Sequence, residues 1–287
     1  MGVGPHHLDG HLVGKRSHSA CCYRPFAFGR SSTNQAVEMK ATAQVYSSPI
    51  IYLFLGGFTM ALSIERWGLH KRLALWIISK AGNSPSSLLL GFMLATALLS
   101  MWISNTATTL MLLPIALALL GEMERQGHSA ANSRFPQALL LSMAYAASIG
   151  GTATLIGTPT NLIFAAASEE LLGTSVSFTE WMLKAGPLCL LSFVIAWLYL
   201  SRWRYQVPRS QKSDVQALVE TQLHELGAIR KEEKWVIGIF GTVVFFWIFR
   251  TLLFDSVLPG MTDAGVAIAG ALCMFIVPSS EKNQRLL

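Results

Sequence analysis

The pattern of apolar and polar positions is centred on two apolar runs that flank one polar triplet. The runs cover residues 88–103 and 107–120, and Ser104, Asn105 and Thr106 separate them. As helices, runs of this length measure about 21–24 Å, which is shorter than the roughly 30 Å hydrocarbon core of a bilayer. The pattern therefore predicts a re-entrant hairpin with the triplet at its tip. Irregular backbone at membrane depth has to be buried in protein or line a wet cavity, so the tip is a candidate binding site.

The residues before the hairpin predict one membrane span followed by a helix at the membrane surface. Residues 49–64 form an apolar run long enough for most of a span. Residues 69–79 mix charged with large apolar side chains, which is typical of an amphipathic interfacial helix. Ser84 or Ser86 can then cap the first helix of the hairpin. We group these elements as one region, residues 41–87.

The residues after the hairpin predict one crossing that is broken in its middle. A polar loop at 121–136 precedes an apolar helix at 137–149, which has about 13 residues and is too short to cross. A stretch rich in Gly, Thr and Pro follows at 150–161. Helix resumes over 159–167, since proline suits the first turn of a helix. The hairpin and this broken crossing together make a second region, residues 88–182.

A third region, residues 183–287, predicts further membrane spans. An acidic loop at 168–180 precedes this region. The region itself consists of a span at 183–200, a polar cytoplasmic loop at 201–234, and spans at 235–249 and 262–277. Because the hairpin enters and leaves the membrane on the same side, every Lys- and Arg-rich loop after residue 49 falls on one face of the membrane. This agrees with the positive-inside rule, to which the basic residues before position 49 are the exception.

Composition indicates a multi-pass protein of the cell membrane. Apolar residues make up 52% of the 287 residues, charged residues only 13%, and the mean hydropathy is +0.45. A soluble domain carries about 25% charged residues. The net charge of +6 is explained by Lys and Arg in loops, and we expect no nucleic-acid partner. The predicted fold class is an all-α polytopic membrane protein with a re-entrant hairpin and a discontinuous helix.

Residues 1–40 differ in character from the rest of the chain. They are polar, lack apolar periodicity and contain His6, His7 and His11. A metal site is conceivable there, but we interpret the segment as disordered or misannotated. The cysteines form neither a disulfide framework nor a C-x-x-C motif; they are Cys21, Cys22, Cys189 and Cys273.

The two breaks carry polar groups at membrane depth without any ionisable side chain. Interrupted helices leave backbone N–H and carbonyl groups unpaired. Carbonyl, Ser and Asn oxygens suit a hard monovalent cation, and exposed N–H groups at helix starts suit a carboxylate. The alternative is that each Ser, Thr or Asn only hydrogen-bonds a neighbouring helix. A single residue favours that alternative, whereas the combination of both breaks favours a binding site.

Three other features change the functional picture little. Trp102, beside the triplet, either lines the site or packs, and we interpret it as a packing residue. Asp263 lies near a predicted membrane end and is expected to be solvated or anchoring. The predicted spans contain no catalytic triad, paired carboxylates or His-metal spacing, so we expect a transporter and not an enzyme.

At these residues the sequence resembles the divalent anion:sodium symporter family of di- and tricarboxylate carriers. The resemblance covers roughly residues 39–277. It is closest at 50–68 (IIYLFLGGFTMALSIERWG), 99–114 (LSMWISNTATTLMLLP) and 149–161 (IGGTATLIGTPTN).

The resemblance implies a sodium site and a neighbouring site for a substrate carboxylate. No cofactor is expected, and sodium is the coupling ion. By resemblance, the residues that would hold sodium are Ser100, Ser104, Asn105 and Gly157. Those that would face the carboxylate are Asn105, Thr106, Thr158 and Pro159. The family is typically a homodimer in which a transport domain moves elevator-fashion against a scaffold.

The implied function is sodium-coupled uptake of dicarboxylates such as succinate or malate. The family has a second, inverted repeat with its own Ser-Asn-Thr hairpin, which this sequence lacks, so the chain is interpreted as a truncated half of an inverted-repeat transporter. Two alternatives remain open. One is an inactive truncated or mispredicted fragment, and the other is a sodium-independent anion exchanger or sulfate carrier of the same family.

Overall fold

The computed structural model describes most of the chain beyond residue 42. The described residues are 43, 46–82, 84–125, 134–207, 215–250, 253, 260–279 and 286–287. The chain divides into two units, Met1–Ser48 and Pro49–Leu287. The predictions for residues 1–40, including the histidine-rich metal site, lie outside the described residues. All elements below belong to the second unit.

The first two helices form a bent pair. Helix α1 (Pro49–Arg66) and helix α2 (Leu69–Ala81) differ in direction by 71°. The bend is at Gly68, whose φ of +69° is a conformation that glycine adopts at no steric cost. The predicted helix at 69–79 is therefore confirmed. Its bend away from α1 suits an interfacial position.

The two predicted arms are helices separated by a short break, which we call the hairpin turn, and this break is displaced towards the first arm. Helix α3 (Pro85–Ser100) is capped by Ser84, whose hydroxyl accepts a hydrogen bond from the Ser87 N–H at 3.2 Å. Helix α4 (Asn105–Arg125) follows the turn at residues 101–104. The predicted tip at 104–106 was thus wrong in its bounds, because Asn105 and Thr106 belong to the first turn of α4.

Ser104 causes this shift, because it caps helix α4. Its hydroxyl accepts a hydrogen bond from the Ala107 N–H at 3.3 Å, and its carbonyl oxygen accepts one from the Thr108 N–H at 2.9 Å. A serine in this position satisfies N–H groups that the start of a helix leaves unpaired. The helix therefore starts at once after Ser104, without the two further irregular residues that the sequence predicts.

The prediction that neither arm can span the membrane is wrong for the second arm. Helix α4 has 21 residues, or about 32 Å at 1.5 Å per residue, and is apolar enough to cross. It continues through residues 121–125, which the sequence places in a loop. An ion pair between Glu122 and Arg125, 2.7 Å long and three residues apart, supports this last helical turn.

The two predicted half-helices and the break between them are confirmed, and the break is shorter than predicted. Helix α5 (Phe135–Gly151) includes two glycines that the sequence places in the break, and helix α6 (Pro159–Leu172) resumes at the predicted proline. The break is therefore 152–158. Helix α6 ends at Gly173, whose φ is +65°. The predicted acidic loop at 168–180 is thus largely helical, and only residues 173–177 form the loop.

Among its described residues, the last part of the second unit contains four further α-helices and one π-helical segment. They are α7 (Phe178–Leu198), the π-helix Tyr199–Arg204, α8 (Val215–Glu225), α9 (Lys231–Phe249) and α10 (Asp263–Ile276). The stretch 201–234, predicted as one polar loop, therefore contains α8 and the start of α9. Among the described residues, α4 and α7 with its π-helical continuation are long and apolar enough to cross a membrane, and α1 with α2 qualifies as one bent span.

Helix packing places the two breaks side by side. Helix α3 packs along α5 and α2, α4 packs on α5, and α1 packs along α10. Helices α3 and α5 approach closely at Gly150, where an added Cβ would lie 2.6 Å from the Cα of Ala97. A small residue at such a crossing lets two membrane helices approach closely. The part of the chain that the structure describes is built mainly of helices, as an all-α polytopic membrane protein requires.

Candidate functional site

The site begins with two side chains on either side of the hairpin turn. Ser100 is the last residue of α3 and is fully buried. Its Oγ lies 2.7 Å from Oδ1 of Asn105 and 2.8 Å from the carbonyl oxygen of Ala147 in α5. The serine has one proton to donate and both neighbours are acceptors. Three oxygens thus converge with a single hydrogen among them.

Glycines in α5 and in the second break allow the backbone to approach these oxygens. A Cβ on Gly157 would lie 3.0 Å from the Ser100 carbonyl oxygen and 2.5 Å from that of Gly151. A Cβ on Gly151 would lie 2.2 Å from Oδ1 of Asn105. Larger residues at either position would collide with the groups that form the site. The predicted sodium residues Ser100, Asn105 and Gly157 are therefore close together in the structure.

Two buried side chains that the sequence pattern did not single out hold the second break. The hydroxyl of Thr154 donates to the Met101 carbonyl oxygen and accepts from the Gly157 N–H at 3.1 Å. The amide nitrogen of Asn161 donates to the carbonyl oxygens of Gly151, at 2.9 Å, and Thr154, at 2.7 Å. The sequence could have identified Asn161, because an asparagine just after a helix break can donate hydrogen bonds to carbonyl groups that the break leaves unpaired.

The predicted carboxylate-facing residues lie at the starts of two helices. Asn105 and Thr106 form the first turn of α4, and Thr158 and Pro159 precede and begin α6. Asn105 and Thr158 are half-buried, whereas Thr106 and Pro159 are exposed. The hydroxyl of Thr158 lies 3.5 Å from that of Thr160. Helix starts present N–H groups with partial positive charge, so these residues are accessible where an anion is favoured.

Neutral groups alone form the site. The turn 101–104 and the break 152–158 contain no ionisable side chain, and the described residues include no cluster of His, Cys, Asp or Glu that could hold a metal. Arg250 and Asp263, which lie outside both segments, form an ion pair in which Nε of Arg250 is 2.8 Å from Oδ1 of Asp263. The sequence predicts that Asp263 is solvated or anchoring; its side chain is only 12% exposed and also accepts a hydrogen bond from the Phe178 N–H at 2.9 Å, so it anchors and is not solvated.

The hairpin turn reaches the ends of neighbouring helices. Trp102 packs against Phe178, the first residue of α7, and against Trp247, in the last turn of α9. Its predicted packing role is confirmed. The turn therefore lies beside the start of α7 and beside the second half of α9, where Trp102 also contacts Phe240 at 5.1 Å.

Comparison with known proteins was consistent with the resemblance in the sequence. A family model described as citrate transporter matches residues 31–286. The chain is 36% identical over 250 residues to the sodium-dependent dicarboxylate transporter SdcS of Staphylococcus saprophyticus. It is 38% identical over 250 residues to the protein of the same name from Staphylococcus aureus. Each match covers 84% of this chain and 48% of the relative, so the chain spans about half the length of these curated relatives.

Proposed function

The chain belongs to the citrate transporter family, within the divalent anion:sodium symporters, and we propose that it binds sodium between its two helix breaks. Members of this family are transporters, and the chain is a multi-pass membrane protein. The observation that carries the proposal is the convergence of Ser100 Oγ, Asn105 Oδ1 and the Ala147 carbonyl oxygen, with distances of 2.7 and 2.8 Å from the serine. A cation placed among such oxygens replaces its hydration shell with neutral ligands.

The proposed sodium ligands come from both breaks. Ser100 and Asn105 supply side-chain oxygens, Gly157 supplies a backbone carbonyl, and Ser104 supplies a hydroxyl that has a second lone pair beside its bond to the Ala107 N–H. Broken helices in transporters commonly coordinate sodium with unwound carbonyls and helix ends. Because no carboxylate neutralises the ion, bound sodium keeps its charge and attracts an anion.

The proposed anion site adjoins the sodium site. Asn105 and Thr106 at the start of α4 present N–H groups, an amide and a hydroxyl to one carboxylate of the substrate. At the start of α6, Thr158 adds a hydroxyl beside Pro159, which borders the site but has no N–H to donate. Sodium binding orders Asn105, which belongs to both sites. This shared residue would make the affinity for the anion depend on sodium, and the affinity for sodium depend on the anion by the same factor.

The proposed substrates are dicarboxylates of the succinate or malate type. Both relatives are named as sodium-dependent dicarboxylate transporters, which supports sodium coupling over sodium-independent exchange and dicarboxylate over sulfate. Because the chain spans about half of each relative, we propose sodium binding for this chain. Dicarboxylate uptake, a homodimer and an elevator-type movement are proposed for a whole carrier.

Sodium binding to the purified 287-residue chain in lipid nanodiscs tests the proposal. Radioactive sodium bound at equilibrium is measured against rising sodium, with choline keeping the ionic strength constant. Two buried serines provide a matched pair. Ser100→Ala removes an oxygen of the proposed site, whereas Ser142→Ala removes a hydroxyl that bonds only within α5, to the Leu139 carbonyl at 2.8 Å.

We expect saturable binding by the unaltered chain and by Ser142→Ala, and a loss of at least about tenfold in affinity for Ser100→Ala, which is about 1.4 kcal/mol. Absence of saturable sodium binding in the unaltered chain would refute the proposal. Equal affinities of the two serine variants would show that sodium binds elsewhere.

A further inference from the structure

An aromatic socket receives the hairpin turn. We use this name for Phe178 at the start of α7 and for Phe240 and Trp247 in α9. The Trp102 ring lies 6.2 Å from Phe178 and 6.4 Å from Trp247, nearly parallel to both, and 5.1 Å from Phe240, edge to face. These separations fall in the range in which aromatic pairs attract one another beyond their buried area.

The socket is cross-linked, so its position is well defined. Phe178 and Trp247 are both buried and stack on each other at 4.7 Å. The hydroxyl of Thr179 donates to the Trp247 carbonyl oxygen at 2.8 Å, and the Trp247 indole donates to the Asp263 carbonyl oxygen at 3.0 Å. The Asp263 carboxylate accepts from the Phe178 N–H at 2.9 Å. The beginning of α7, the end of α9 and the beginning of α10 therefore form one rigid support.

Trp102 connects the aromatic socket to the proposed sodium site, because it lies between two of the proposed sodium residues. It lies two residues after Ser100 and three before Asn105, within a turn of four residues. Such a short segment cannot shift at its middle without moving both ends. Docking of Trp102 thus fixes the separation of Ser100 Oγ and Asn105 Oδ1, which is 2.7 Å in the structure.

The first turn of α7 also contacts the second break. Trp181, one turn after Phe178, donates its indole N–H to the Thr152 carbonyl oxygen at 3.0 Å. One helical turn therefore contacts both segments that carry the sodium residues. This arrangement holds the two breaks in a common frame.

We propose that Trp102 is a positioning residue for sodium, acting through Ser100 and Asn105 by its docking in the aromatic socket. The inference rests on the proposed sodium site. It goes beyond the predicted packing role, because it assigns a consequence for ion affinity. Trp102 does not touch the ion, so its loss weakens binding without removing a ligand.

The test compares Trp102→Leu and Trp102→Phe with the unaltered full chain in nanodiscs, using equilibrium binding of radioactive sodium. For Trp102→Leu we expect the half-saturating sodium concentration to rise about tenfold, with an unchanged number of sites. Trp102→Phe keeps an aromatic ring in the socket and should stay within about threefold of the unaltered chain. Trp197→Leu is the matched control, since Trp197 is a half-buried tryptophan near the other end of α7.

A second variant changes a residue of the socket in place of Trp102, so that the contact can still be tested if Trp102→Leu does not fold. Phe240→Leu removes the edge-to-face partner and should raise the half-saturating sodium concentration in the same direction. A purely structural role would lower the number of binding-competent molecules and leave their affinity unchanged, in both variants. That result would overturn the inference while the proposed sodium site stands. Failure of the unaltered chain to bind sodium would instead overturn the proposed function, and the inference with it.

Discussion

The hydroxyl of Thr154 donates a hydrogen bond to the carbonyl oxygen of Met101, across 53 positions of sequence. This contact joins the second break directly to the hairpin turn. Thr154 is fully buried, and its oxygen also accepts from the Gly157 N–H at 3.1 Å. Hydrogen bonds in such a low-dielectric environment are strong, and leaving their groups unpaired is costly. The geometry of the proposed sodium site therefore depends on this threonine.

Thr154→Val is predicted to destabilise the protein, because it leaves the Met101 carbonyl and the Gly157 N–H unpaired in the interior. The expected cost is about 2 kcal/mol or more, which lowers the unfolding temperature by roughly 4–8 °C. Thr154→Ser keeps the hydroxyl and should unfold close to the unaltered chain. Thermal unfolding in detergent followed by intrinsic fluorescence measures both. If valine and serine variants unfold at the same temperature, the hydrogen bond is unimportant.

Gly151→Ala is predicted to abolish sodium binding and to destabilise the fold by about 1–3 kcal/mol. The added Cβ would lie 2.2 Å from Oδ1 of Asn105, so the amide has to leave its position beside Ser100. Gly241→Ala in α9 is the control, because no heavy atom lies within 4 Å of its added Cβ. Sodium binding and thermal unfolding are measured on both variants. Normal sodium affinity in Gly151→Ala would contradict the placement of Asn105.

Arg72→Lys is predicted to destabilise the protein although it keeps the charge. The guanidinium bonds both carboxylate oxygens of Glu233, at 2.6 and 3.3 Å, and the carbonyl oxygens of Leu226 and Gly227. An ammonium group cannot reproduce this planar set of contacts.

The expected loss for Arg72→Lys is about 1–3 kcal/mol in the free energy of unfolding. Urea or thermal unfolding in mild detergent measures it, and Lys71→Gln on the exposed side of the same helix serves as the control. A lysine variant as stable as this control would show that the charge alone matters. Sodium affinity should change little, because the contact joins α2 to the α8–α9 connection.

Asn105→Ala in a whole carrier that contains this chain is predicted to abolish sodium-dependent succinate uptake. The substitution removes an oxygen of the proposed cation site and a donor of the proposed anion site. Uptake into proteoliposomes is measured under an inward sodium gradient and without sodium. Thr242→Ala, whose hydroxyl bonds only within α9, should transport normally. Succinate uptake by Asn105→Ala at saturating sodium would exclude the proposed role.

Sequence patterns located the helix breaks because a break is caused by residues that are close together in sequence. Ser84 caps α3 and Pro159 starts α6, as the sequence predicts, since a cap or a proline acts on its own helical turn. The C-terminal ends of the helices were less predictable from the sequence. Helix α4 extends to Arg125 and α6 to Leu172, because polar residues continue a helix when its hydrogen bonds and neighbours already support it.

The sequence by itself determined an all-α membrane protein with two interruptions that hold neutral oxygens and amides. Its resemblance to the symporter family pointed to Ser100, Ser104, Asn105 and Gly157. Only the tertiary structure decided that Thr154 reaches Met101, that Asn161 supports the second break and that Trp102 docks on α7 and α9. Periodicity, caps and glycines act through neighbours in sequence, so they can be read from the chain. Contacts between residues dozens of positions apart depend on how whole helices pack, and no local pattern specifies them.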